Sequence, residues 1–146
     1  MSQREDILAR LVAVCATIPG VVLCARNRDE ITDRQKPAVI IWDADEVANE
    51  GEPKRAGAAG PQIISMTPEV YILTTGLPAT VGTDLNALRD ALLKAVLTDA
   101  TLRTITGANG SIRYEGCATG LARGRSMEGE MGVSLSFQYP FNPNTL

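Results

Sequence analysis

From Met131 to Phe141 every second residue is apolar (Met131, Val133, Leu135, Phe137, Tyr139, Phe141), and the residues between them are Gly, Ser, Ser, Gln and Pro. Successive side chains of a β-strand point to opposite faces, so the segment from Met127 to Phe141 predicts a long strand with one buried and one wetter face. The period at the start of the chain is different. Ser2 followed three residues later by Glu5 is a capping-box pattern, and Ile7, Leu8, Leu11, Val12, Cys15 and Ile18 then recur at helical spacing as far as Pro19-Gly20. This predicts a first helix of about four turns with Arg4, Glu5, Asp6 and Arg10 on its wet side.

Val21 to Arg26 is a short β-rich run, and Asn27 to Lys36 reads as a polar loop. Pro37 then opens Ala38-Val39-Ile40-Ile41-Trp42, the continuous apolar run expected of a central strand covered on both faces. Between Asp43 and Gln62 the core pattern disappears: acidic residues come first, then Pro53-Lys54-Arg55, then Gly57-Ala58-Ala59-Gly60-Pro61. A long charged loop is expected at about 43–62. Ile63 to Thr75 returns to strand character with Ile64, Met66, Val70 and Ile72 on one face; Pro68 lacks the donor a central ladder needs, which predicts an edge position or a bulge. A hairpin with the Trp42 strand, the charged loop at its tip, is the economical arrangement.

After a turn region at Gly76 to Gly82, Thr83 is positioned to cap a second helix whose stripe is Leu85, Leu88, Leu92 and Val96. Thr98-Asp99 restarts a short helical turn through Leu102 and Ile105, stopped by Gly107. Asn109-Gly110 signals a turn, Ser111 to Cys117 alternates as a strand, and Ala118 to Ser126 is expected to be a connection. The order is therefore α-β-β-β-α-β-β. That order predicts one α+β domain: a mostly antiparallel four- to five-stranded sheet with two helices packed on one face.

Composition narrows the function. A chain of 146 residues is long enough to bury a core without disulfides or a metal. A net charge of -3 argues against a protein that grips nucleic acid through clustered Lys and Arg, though not against a channel through which nucleic acid passes. Cys15, Cys24 and Cys117 are odd in number and form no CxxC pair, so reduced thiols and a reducing compartment are expected. No apolar run is long enough for a membrane span or a signal peptide. The chain has no histidine, which removes the usual general base, the usual partner of a nucleophilic Ser or Cys, and the commonest metal ligand.

The enzymatic alternative is a carboxylate-metal nuclease, in which Asp43 and Asp45 hold Mg²⁺ and Glu52 with Lys54 imitates the E-x-K pair of restriction-type nucleases. Pro53 between those two residues spoils the strand geometry the pair needs. No catalytic residue, metal or cofactor is therefore expected. The charged residues read better as assembly contacts: Arg113, Arg123 and Arg125 around the last hairpin, opposite Asp43, Asp45, Glu46, Glu50, Glu52 and Arg55 of the charged loop.

Several stretches together, Asp84-Leu85-Asn86-Ala87-Leu88-Arg89-Asp90-Ala91-Leu92, Thr98-Asp99-Ala100-Thr101-Leu102, Ile112-Arg113-Tyr114-Glu115-Gly116 and Gly129 to Phe141, resemble the tail terminator or minor tail proteins of long-tailed bacteriophages. The first helix, the hairpin with its long loop and the closing strands occur in the same order. The resemblance implies a virion protein at the head-tail junction, assembled in the host cytoplasm. It implies a homo-oligomeric ring of six copies that caps the tail tube, stops tube polymerisation and offers a docking surface to the head-completion or neck proteins. DNA would pass through the lumen without specific binding. Another neck or head-completion connector has the same size, composition and ring habit.

Overall fold

The computed structural model describes residues 2–48, 62–108, 110–122 and 127–141. Its elements are α1 (Gln3–Ala16), β1 (Leu23–Arg26), a 3₁₀ turn (Asp33–Gln35), β2 (Ala38–Ala48), β3 (Gln62–Gly76), α2 (Val81–Leu97), α3 (Ala100–Thr106), β4 (Ser111–Ala122) and β5 (Met127–Phe141). One five-stranded sheet runs in the order β1-β2-β3-β5-β4. The α+β expectation holds, with two corrections. The sheet is mixed, because β1 lies parallel to β2 while the other three pairs are antiparallel. The helices number three among the described residues, because the turn expected after Asp99 becomes a helix of seven residues.

Each helix begins for a local reason. Ser2 Oγ accepts the Glu5 N–H at 3.3 Å and starts α1. The reciprocal half of the capping box does not form: the Glu5 carboxylate accepts two bonds from Arg26 instead, at 2.7 and 3.0 Å. A charge-assisted bidentate pair outcompetes a bond to a solvent-accessible N–H. α2 starts two residues before the expected cap at Thr83, since Thr80 and Val81 already donate to Leu77 O at 3.0 Å. Asp99 caps α3 by accepting from Leu102 N at 2.9 Å. The same carboxylate receives Arg10 of α1 at 2.8 and 3.0 Å, which ties the first and third helices together.

The helices cover one face of the sheet. Ile7, Leu8, Leu11 and Cys15 of α1 and Leu85, Leu92 and Val96 of α2 meet Ile64, Met66, Val70 and Ile72 of β3. Met131, Val133, Leu135, Phe137 and Tyr139 of β5, the alternating apolar set, are buried in the same core. Burying an aliphatic or aromatic side chain of this size stabilises the fold by roughly 1.5–3 kcal/mol each.

Pro68 occupies a central strand, not an edge; the bulge foreseen beside it lies in its neighbour. The β2–β3 register shifts by one residue between Trp42 and Asp45, so Asp43 and Ala44 together oppose Pro68, and Ala44 takes φ 51°. On the other side, the β3–β5 pairs stop at Met66–Phe137 and resume at Glu69–Ser134. The missing proline donor thus falls where the ladder is already interrupted. Asp43 to Ala48, expected as the start of the loop, continue β2 beyond this bulge. β4 has its own bulge between Tyr114 and Gly116, with Gly116 at φ 147°, and it extends through Ala122 into the expected connection.

Candidate functional site

Alternation along the paired strands defines a second face of the sheet that no helix covers among the described residues. It carries Ala38, Ile40, Trp42 and Asp45 from β2, Thr67, Glu69, Tyr71 and Leu73 from β3, Glu128, Glu130, Gly132 and Ser134 from β5, and Arg113, Ala118 and Gly120 from β4. Ala38 and Ile40 are nonetheless buried, so the run from Ala38 to Ile41 is covered on both faces as a central strand should be. Arg28 and Asp29 share a surface depression with Ile40, Trp42 and Leu73, which puts the β1–β2 connection on this face beside them.

Tyr71 is the centre of the open face. Its hydroxyl donates to Glu69 Oε2 at 3.0 Å. That bond, together with burial and the negative charges of Glu69 and Glu130, pushes its pKa above the usual phenol value. Gly132 lies across from it in β5, and a Cβ at Gly132 would stand 3.2 Å from Tyr71 Cε1. A trough of about 620 Å³ runs from Tyr71 over Gly132 to Ala118 and Gly120. A second depression of about 440 Å³ lies on the other side, between Tyr71 and Trp42. Glu69 and Glu130 border both. The face is therefore shallow, aromatic at its centre and negative around it.

The acidic residues singled out in the sequence are separated by the β2 bulge. Asp43 points to the helix side, where Arg26 donates to it at 2.6 and 2.8 Å. Arg26 holds Asp43 and Glu5 below the usual carboxylate range, and the two carboxylates raise Arg26 in return, Asp43 more than Glu5. Arg4 of α1 braces the bulge by donating to the carbonyl of Ala44 at 2.9 Å. Glu46 also faces the helices: it accepts from the Tyr139 hydroxyl at 2.9 Å and lies 3.4 Å from Arg4. Burial, then the Glu46 carboxylate, push the Tyr139 pKa well up. Of the described carboxylates in this group, Asp45 alone reaches the open face, where it is exposed.

Asp43 and Asp45 thus stand on opposite faces of one strand and do not converge on a shared ion. Among the described residues no group of three metal-ligating side chains comes together. Arg113 is exposed on the open face opposite Ser136. Glu50, Glu52, Lys54, Arg55, Arg123 and Arg125 lie outside the described residues. Sequence reasoning passed over Glu69, Tyr71 and Glu130 as a group, because only the β3–β5 register joins them; the signal available was their placement on the wetter face of two alternating strands.

Compared with known protein families and with curated proteins, the chain matches no family model and no curated protein. No helix among the described residues is long and apolar enough to cross a membrane.

Proposed function

We propose that this chain is the subunit of a ring that caps the tail tube of a long-tailed bacteriophage, ends tube polymerisation and receives the head-completion proteins. The observation that carries this reading is the division of one sheet into two surfaces. The helix side is closed by the core, whereas the uncovered side carries Asp29, Asp45, Glu69, Glu128 and Glu130 against Arg28 and Arg113, a negative excess. A surface of that charge repels phosphate, so DNA crosses it without adhering, as the lumen of a tail requires. The element order, a first helix, strands joined by a long connection, further helices and a closing hairpin, supports the same reading through its likeness to the terminator pattern. The ring is expected to hold six copies, as that likeness implies.

The test is addition of the purified protein to growing tail tubes, followed by electron microscopy and by light scattering of the free protein. Protein seated at one tube end, with elongation stopped, is the expected result. Tubes that elongate past it unbound overturn the reading. Binding to portal-side components alone identifies a neck connector instead. Plasmid nicking with Mg²⁺ that disappears in Asp45→Ala identifies a nuclease.

A further inference from the structure

Both margins of the sheet are open. β1 pairs only with β2 and β4 only with β5 among the described residues. An unpaired strand edge is a row of backbone donors and acceptors, and proteins that must not pair there blunt it with charge, proline or cover. Beyond its bulge β4 does the reverse: Gly116-Cys117-Ala118-Thr119-Gly120-Leu121-Ala122 contains neither charge nor proline, and residues 117–121 are exposed.

The registers place residues of the two margins at matching heights. Leu23, Ala38, Leu73, Glu130 and Gly120 form one row across the sheet. Just beyond this row the apolar residues Val22 and Leu121 stand at the two margins, 61% and 53% exposed. On the open face a row runs from Asp45 through Thr67 and Ser136 to Arg113. Neither Asp45 nor Arg113 has an ion-pair partner among the described residues. One sheet therefore carries an exposed apolar residue at the same end of each margin and an opposite-charge match at equal height.

Strand direction permits the two margins to meet. β1 follows β2, and the three remaining pairs are antiparallel, so β4 runs opposite to β1. A second copy that continues the strand order presents its β1 antiparallel to β4, with all helices on one side. We propose that the β4 edge of one copy takes the β1 edge of the next without stagger. Leu23 of the second copy then lies beside Gly120, and Val22 and Leu121 fall at the same end of the joint. β1 stops at Arg26, below the height of Asp45, so Asp45 of the second copy faces Arg113 across two strand spacings, roughly 10 Å between backbones, which the two side chains span. A twofold joint of β4 with β4 would leave both β1 edges and Val22 uncovered. The head-to-tail joint, repeated by rotation, closes and leaves no edge. This inference rests on the ring reading and supplies its joint.

The test uses Leu23→Cys with Gly120→Cys in a chain whose Cys24 and Cys117 are replaced by Ser. Antiparallel neighbours have Cα atoms at disulfide distance, so mild oxidation should yield covalent species of three or more copies from the double variant and none from either single variant. In parallel, Arg113→Glu should weaken self-association about tenfold, and Asp45→Arg added to it should restore association to within about threefold of wild type. Circular dichroism checks that each variant folds. Covalent dimers from Gly120→Cys alone overturn the proposal in favour of the twofold joint. Rings that assemble with neither cross-linking nor charge rescue overturn the joint and leave the ring standing. A protein that stays monomeric at every concentration and ignores tube ends overturns both.

Discussion

A single methyl group at residue 110 would test how β4 is anchored. Gly110 closes the turn after α3, its N–H donating to Gly107 O at 3.0 Å. A Cβ built there would collide with the carbonyl oxygen of Thr106 and stand 2.5 Å from that of Gln138. Carbon and oxygen in contact sit at roughly 3.3 Å or more. Both oxygens belong to backbone, one in α3 and one in β5, so neither can swing aside as a side chain would. At Gly129 the obstacles are Val81 Cγ2 at 2.8 Å and Leu85 Cδ1 at 2.9 Å, core side chains with some freedom. At Gly132 the obstacle is the Tyr71 ring at 3.2 Å, half in solvent and free to tilt. The expected costs are therefore about 3 kcal/mol for Gly110→Ala, about 1–2 for Gly129→Ala and under about 1 for Gly132→Ala. In a domain of 146 residues a loss of 3 kcal/mol lowers Tm by roughly 10 °C. Urea unfolding, read by Trp42 fluorescence and by circular dichroism, should show a lower midpoint with an unchanged slope. Gly110→Ala within about 0.5 kcal/mol of wild type, or a Gly132→Ala more damaging than it, would refute the reasoning.

Asp99→Ala removes both the cap of α3 and the partner of Arg10, and should cost about 2 kcal/mol, whereas Asp99→Asn keeps the cap and should cost about half of that; equal losses in urea melts would show the cap to be idle. Arg26 and Arg10 depress the carboxyl pKa values of Glu5, Asp43 and Asp99 in the folded state, so the stabilisation is complete above about pH 5 and is lost as pH falls through the carboxylate range. Tm should hold between pH 5 and 8 and drop below about pH 4.5, with a shallower drop in Arg26→Met; parallel curves for the two proteins would count against the network. Tyr139 has its pKa raised, so its contribution is present below about pH 10 and is lost above it; Tyr139→Phe should flatten the alkaline limb of the same Tm profile.

How much of this fold was legible in the sequence depended on whether a period survived undisturbed. Met131 to Tyr139 alternate without interruption, and the five apolar residues the pattern names are all buried, with Ser136 of the other face buried beside them. Leu85, Leu92 and Val96 likewise keep helical spacing and are buried. Asp43-Ala44-Asp45-Glu46-Val47-Ala48 showed no alternation, because the bulge puts Asp43 and Ala44 on one side in succession and then reverses the phase. Gly116 to Ala122 failed for the same reason and for want of large side chains. The parallel pairing of β1 was equally invisible, since four residues with no exposed-buried alternation carry no direction. Of the assembly residues named from sequence, Asp43 and Glu46 turned out to be spoken for by Arg26 and Tyr139 within the chain, partners that only the placement of β1 and β5 supplies.

The two bulges also organise the surfaces on which the proposed assembly depends. The β2 bulge faces Pro68, and the registers carry that row through Leu135 to Tyr114, where β4 bulges in turn. Both irregularities therefore lie at one height, one in β2 and one in β4. Below that height the even-numbered residues of β2 and β4 occupy the open face; above it the odd-numbered ones do. Had β2 been regular, Asp45 would point into the helices beside Ile41. Had β4 been regular, Leu121 would share the open face with Arg113 and its apolar surface would sit among Glu128 and Glu130. One inserted residue in each strand instead sends both charges to the uncovered side and keeps Leu121 on the helix side. A bulge costs ladder hydrogen bonds, and here the return is an opposite-charge pair that matches in height and face.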